Sequence, residues 1–91
     1  MKIITSNRFD RRYTKIIKGN AILKSRINST LKKLSDNPFE PSLRTHKLKG
    51  RLEDNWSCSV AEDLRILFQI IEHNNELCIY LDSIGKHDEV Y

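Results

Sequence analysis

The apolar residues of this chain change period once, at Pro38, and that change limits the fold to a helical first part and a sheet-forming second part. Before Pro38, Phe9, Tyr13, Ile16 and Ile17 fall at i, i+4, i+7 and i+8, which is one apolar helical stripe. Ser6 or Asn7 stands where it can cap that helix, and Gly19-Asn20 breaks it and offers a new cap. Leu23, Ile27, Leu31 and Leu34 mark a second helix from about Ala21 to Ser35. Asp36-Asn37-Pro38 ends it, because proline disfavours helical geometry in the residue before it. Ile3-Ile4, ahead of both helices, is a short strand candidate.

After Pro38 the pattern is that of strands. Leu48 and Leu52 alternate with Lys47, Lys49 and Arg51, and Trp56, Cys58 and Val60 alternate with Ser57 and Ser59. Leu64 to Ile71 is nearly all apolar and suits a central strand. His73-Asn74-Asn75-Glu76 is a turn, and Leu77 to Ile84 is the last strand. The expected fold is α+β: a two-helix hairpin packed against a curved, mainly antiparallel sheet of four to five strands. Residues 1–91 make one domain, since a chain this short supports a single core.

Composition narrows the function classes. Hydrophobic residues are 38% and charged residues 31% of the chain, a globular balance rather than a disordered one. No apolar run approaches the roughly 20 residues needed to cross a bilayer, and Met1 to Thr5 does not form a signal peptide, so a cytoplasmic protein without a membrane partner is expected. In that compartment Cys58 and Cys78 read as reduced core thiols. His46, His73 and His87 have no metal-ligand spacing, so neither a metal nor another cofactor is expected. Residues 1–52 carry 14 Lys/Arg and 3 Asp/Glu, a balance of +11, whereas residues 53–91 carry 2 and 9, a balance of −7. Such asymmetry suits a basic face for a polyanion, and equally an ordinary solvated helix surface.

Three places can carry chemistry. Lys47, Lys49 and Arg51 share one face of a regular strand. Spaced two apart along roughly 13 Å, they match a track of phosphates or, alternatively, a charged edge that blocks aggregation. Arg65 is a lone charge in an apolar strand. It either forms a structural ion pair with Asp63, Asp82 or Asp88, or aims its guanidinium into a cleft to bind a phosphate. The tail, residues 85–91, gathers Lys86, His87 and Tyr91. His87 can exchange a proton near neutral pH and Tyr91 can stack on a base, unless the segment is simply a polar terminus.

In order and spacing these pieces resemble the RelE/ParE toxin superfamily of bacterial type II toxin–antitoxin systems. The resemblance rests on residues 46–52 (HKLKGRL), Trp56-Ser57, residues 63–70 (DLRILFQI) and residues 84–91 (IGKHDEVY), and it extends over nearly the whole chain. It implies a ribosome-dependent mRNA endoribonuclease that inhibits translation. The usual members work without a metal: the ribose 2′-hydroxyl attacks the adjacent phosphate, leaving a 2′,3′-cyclic phosphate and a 5′-hydroxyl end. Arg65 matches the phosphate-binding arginine of RelE-like members. His87 matches the C-terminal catalytic histidine of the YafQ-like branch, implying a general acid. His46 matches another histidine of that branch, implying a base, although regular strand parity puts it opposite Lys47 and Lys49. Tyr91 occupies the aromatic C-terminal position. Lys47, Lys49, Arg51 and Lys86 would hold the RNA backbone. Asp63 matches an acidic position of the YafQ-like branch and equally reads as a turn residue.

Two departures accompany these matches. Ser59 stands where the YafQ-like branch has a further histidine, and Leu64 where it has tryptophan. The superfamily also includes ParE-like members that inhibit DNA gyrase by binding, and a non-catalytic chain that only binds its antitoxin is a third reading. All three imply a cognate antitoxin as partner, and the first adds the ribosome and mRNA.

Overall fold

A computed structural model describes residues 1–52 and 54–91, apart from the side chains of Arg51 and Glu89. Strand β1 (Lys2–Thr5) leads into helix α1 (Asn7–Ile17), which an αα turn joins to α2 (Ala21–Asp36). A 3-10 turn (Pro41–Leu43), strand β2 (His46–Lys47) and a second 3-10 turn (Gly50–Leu52) follow. Strands β3 (Trp56–Ala61), β4 (Leu64–His73) and β5 (Glu76–Lys86) then lead to the short helix α3 (His87–Val90).

Local chemistry sets these boundaries. The Ser6 hydroxyl accepts from the Phe9 N–H at 3.0 Å and donates to the Asp82 carbonyl at 2.7 Å, so one side chain caps α1 and ties it to β5. Asn20 caps α2 by accepting from the Leu23 N–H at 3.0 Å. Asn37, just ahead of Pro38, closes α2 by donating its N–H to the Lys33 carbonyl at 2.8 Å. Asn74 and Asn75 both adopt left-handed backbone, with φ of 52° and 64°, which lets a two-residue turn follow the sheet's own twist.

The five strands form one sheet in the order β1-β5-β4-β3-β2. β1 runs parallel to β5 and every other pair is antiparallel, so the sheet is mixed only at one edge. Both helices pack on one face. There Phe9, Ile27 and Leu34 meet Cys58, Leu64, Ile66, Phe68, Ile79, Leu81 and Ile84 in a continuous buried cluster. The apolar positions of β5 step by two from Ile79 to Leu81, then by three to Ile84. A register shift causes this: Leu67 pairs with Ser83 and Phe68 with Leu81, leaving Asp82 as the extra residue of a bulge.

Cys58 and Cys78 are free and buried, as expected. Burial pushes the Cys58 thiol up to about 12, against smaller lowering effects from a backbone hydrogen bond at Ile66 and the charge of Arg65. One strand differs from expectation. The alternating stretch through Leu48, Lys49, Arg51 and Leu52 is not a regular strand, because Gly50 turns left-handed at φ 71° and the chain curls into a 3-10 turn. The Leu48 N–H instead reaches the Asn55 carbonyl at 3.0 Å, closing a loop.

Candidate functional site

Cross-strand partners in an antiparallel sheet share a face, so the register defines which side chains meet. On the face away from α1 and α2, one row runs His46, Ser57, Leu67 and Ser83 across β2, β3, β4 and β5. The next row runs Ser59, Arg65 and Gly85. Arg65 and Leu67 alternate with the core residues Ile66 and Phe68, which places both on this open face.

The tail returns over that face. α3 packs on β4 and β5, and the Tyr91 and Ser57 hydroxyls hydrogen-bond to each other. The His87 ring lies edge-on to the Tyr91 ring, with centroids 4.2 Å apart at 72°. Ser57 and Ser83, polar residues with exposures of 0% and 2%, are thereby covered although neither large helix reaches them. The structure thus brings His46, Tyr91 and His87 to one face through a row centred on Ser57.

His46 is exposed, and its Nδ1 lies 3.1 Å from the Arg44 carbonyl oxygen. A carbonyl only accepts, so Nδ1 carries the proton, and in the neutral ring the lone pair sits on Nε2. A two-residue strand resolves the parity question raised by the sequence. His46 pairs with Ser57 on the open face, and no bulge is needed.

Arg65 occupies the same face, one row over, but its guanidinium turns to the end of the β3–β4 hairpin. Nη1 donates to the carbonyls of Ala61, Glu62 and Leu64 at 3.0, 3.1 and 3.3 Å. Backbone carbonyls, rather than the carboxylates considered from sequence, are its hydrogen-bond partners here. The guanidinium also lines a groove of about 380 Å3 with Arg44, Ser42, Ser59 and Glu62.

Other expected site residues lie elsewhere. Lys47 pairs with Trp56 on the opposite face, its Nζ 5.1 Å from the indole centroid, so the expected strand track of cations is corrected here. Its physical basis fails at Gly50, where the strand has already ended. Lys49 is exposed in the connecting loop, and the Arg51 side chain lies outside the described residues. Lys86 and Asp63 line a separate groove of about 370 Å3 on the helix side, with Ile16, Leu23 and Arg26. Asp63 sits in the β3–β4 turn, as its alternative reading had it. Among the described residues, no cluster of three or more His, Cys, Asp or Glu could hold a metal ion, and no helix is long and apolar enough to cross a membrane.

Two residues of this face escaped the sequence reading. Ser57 looks like an outward polar residue of a half-buried strand, and only the returning tail shows that it is an anchor. Arg44 carries no periodic signal, and its placement depends on a left-handed backbone at φ 52°.

Comparison with known proteins adds context to this geometry. The family model described as "Bacterial toxin of type II toxin-antitoxin system, YafQ" matches residues 1–91. Among solved structures, a metal-bound toxin from Helicobacter pylori is 29% identical, with a TM-score of 0.79 over 100% of this chain and 99% of that one. A YoeB/ParE toxin from Agrobacterium tumefaciens shares the fold at 18% identity and a TM-score of 0.81, covering 96% and 99% of the two chains. YafQ in the E. coli DinJ-YafQ complex shares it at 13% identity and a TM-score of 0.76, covering 99% and 97%. No curated protein sequence matches.

Proposed function

The chain belongs to the YafQ family of bacterial type II toxin–antitoxin toxins, and from that premise we propose that it is an endoribonuclease that cuts mRNA on the ribosome and so inhibits translation. The observation that carries the proposal is the shared face. A histidine whose Nδ1 is held by the Arg44 carbonyl (His46) and a second histidine held against Tyr91 (His87) stand on the same side of the sheet as Arg65.

Cleavage by an internal nucleophile needs a base, positive charge on the phosphate and an acid. His46 takes the proton of the ribose 2′-hydroxyl on Nε2. The 2′-oxygen then attacks the adjacent phosphorus. His87, in its protonated form, gives its proton to the departing 5′-oxygen, leaving a 2′,3′-cyclic phosphate and a 5′-hydroxyl end. Arg65 supports the charge that builds on the phosphoryl oxygens. Its single nitrogen shared among three carbonyls is a weakly committed arrangement that a bidentate phosphate can replace. Tyr91 offers its ring as a stacking surface for a base. The reaction requires no metal, since side chains supply the base, the acid and the charge.

Just as YafQ occurs in a complex with DinJ, this chain is expected to be held by a partner antitoxin. An acidic antitoxin segment would complement the basic half of the sequence.

The test is primer extension on cellular mRNA after expression of the wild-type protein, His87→Ala and Arg65→Ala. Codon-phased cuts from the wild type, lost in both folded variants along with growth arrest, are the expected result. Fully toxic variants that still cut would remove these residues from the mechanism. Growth arrest with DNA damage and intact mRNA would indicate the gyrase-binding reading instead.

A further inference from the structure

The groove beside the β3–β4 turn contains a second arginine with no task so far. We propose that Arg44 binds an RNA phosphate next to the scissile linkage, in the groove that it lines together with Arg65, while its own carbonyl positions His46 as the base. The proposal rests on the endoribonuclease reading and adds to it a phosphate subsite and a positioning contact.

Residue 44 is fixed from both sides. Leu43, just before it, is buried in the core with 2% exposure. Thr45, just after it, donates its hydroxyl to the Pro38 carbonyl at 2.6 Å. The preceding 3-10 turn is capped by Glu40, whose carboxylate accepts from the Ser42 N–H at 3.0 Å, and the Arg44 N–H closes it on the Pro41 carbonyl at 3.2 Å. Held this way, Arg44 adopts φ 52°, a left-handed conformation uncommon for a residue with a Cβ. Such conformations persist where their surroundings over-determine them, and they cluster at functional sites.

The left-handed turn has two consequences at once. It presents the Arg44 carbonyl to His46 Nδ1, and it sets the Arg44 side chain on the wall of the groove that Arg65 also lines. Glu62 supplies one negative charge to this groove and Ser59 a hydroxyl, while the Ser42 hydroxyl already donates to the Glu40 carboxylate. Two arginines and one glutamate leave the groove lining net positive, which favours an anion, and a phosphodiester is an anion whose oxygens match guanidinium geometry. A protein fragment carrying a carboxylate could satisfy the same charges. The open face with its two histidines favours RNA.

Arg44→Gly separates the two roles, because glycine keeps the left-handed backbone and the carbonyl while removing the guanidinium. On programmed ribosomes, KM is expected to rise by about tenfold to a hundredfold, the loss of a charge-assisted contact, with kcat within about twofold. The imidazole nitrogen spectrum of His46 should keep its Nδ1-protonated signature. Arg44→Val has a branched side chain that resists φ above zero. It should lose that signature and lower kcat by at least about tenfold. Wild-type cleavage with KM unchanged in Arg44→Gly overturns the phosphate subsite. An unchanged His46 signature and kcat in Arg44→Val overturn the positioning contact. A wild-type protein that cuts no mRNA overturns the endoribonuclease reading and this proposal together. If Arg44→Val does not fold, Arg44→Gly still decides the subsite.

Discussion

The two faces of the sheet are built on opposite principles. The helix face is apolar at nearly every inward position and is sealed by α1 and α2, with Ile27, Leu34, Ile66, Phe68, Ile79, Leu81 and Ile84 all fully excluded from solvent. The open face carries Ser57, Ser59, Arg65 and Ser83 beside the buried Leu67, and its cover is a four-residue helix and Tyr91, whose described contacts include the Tyr91–Ser57 hydroxyl pair and the His87–Tyr91 ring contact. Apolar burial scales with area, so the helix face dominates stability. A face with so little to lose on opening is free to admit a ligand. Fold and chemistry are therefore divided between two surfaces joined by the same strands, and substitutions should divide the same way.

The largest contrast is expected at Phe68. Phe68→Ala removes a ring with 0% exposure and should destabilise the chain by about 3–5 kcal/mol, enough to abolish most of a small domain's stability. Urea titration followed by circular dichroism measures this. Ser83→Ala on the other face should shift the midpoint by about 1 kcal/mol at most. Equal losses at the two positions would contradict the division.

A second contrast is chemical. The Cys58 thiol sits in the helix-face core with its pKa raised by burial to about 12, from an ordinary value of 9.0. The folded chain therefore holds its proton where the unfolded chain would release it. The resulting stability is fully present below pH 9 and is lost as pH climbs toward 12, at up to about 1.4 kcal/mol per pH unit. Cys58→Ala should flatten that alkaline decline, while its overall stability falls from the missing volume. An identical alkaline slope in both proteins would mean that the thiol is accessible to water.

The same division explains what could be read from residue order. The helix face was legible because its code is periodic. Leu23, Ile27, Leu31 and Leu34 step by helical turns, and Trp56, Cys58 and Val60 step by two. The open face has no such code. Strand parity sets His46 opposite Lys47, as the structure has it, but only the pairing of His46 with Ser57 shows that its side is the open face. Charge at alternate positions predicts a strand track through Lys47, Lys49 and Arg51, but β2 ends at Lys47, whose ammonium lies over the Trp56 ring. Arg44 was invisible, since its placement follows from a backbone conformation that an arginine rarely adopts. Arg65 stands out as a lone charge in an apolar strand and His87 and Tyr91 as a polar tail, and the family resemblance adds to that signal; their place on one face is a product of register and of a chain reversal after Lys86. Local patterns encode burial, whereas a polar site is assembled by tertiary geometry.

The smallest expected effect is at the tail, and it tests how lightly the open face is covered. Tyr91→Phe keeps the ring against His87 but removes the hydroxyl that pairs with Ser57. Ser57 would then hold a buried hydroxyl without that partner. Global stability should fall by only about 0.5–1.5 kcal/mol, the net worth of one hydrogen bond. The change should be local instead. Amide hydrogens of residues 87–91 should exchange faster, while those of β4 and β5 opposite the helices keep the protection set by global unfolding. Native-state hydrogen exchange reads both at once. If β4 and β5 lose protection together with the tail, α3 is part of the cooperative core and cannot lift independently to expose the row from His46 to Ser83. If only the tail responds, the chain carries a detachable cover on its open face, and opening that face leaves the helix-face core intact.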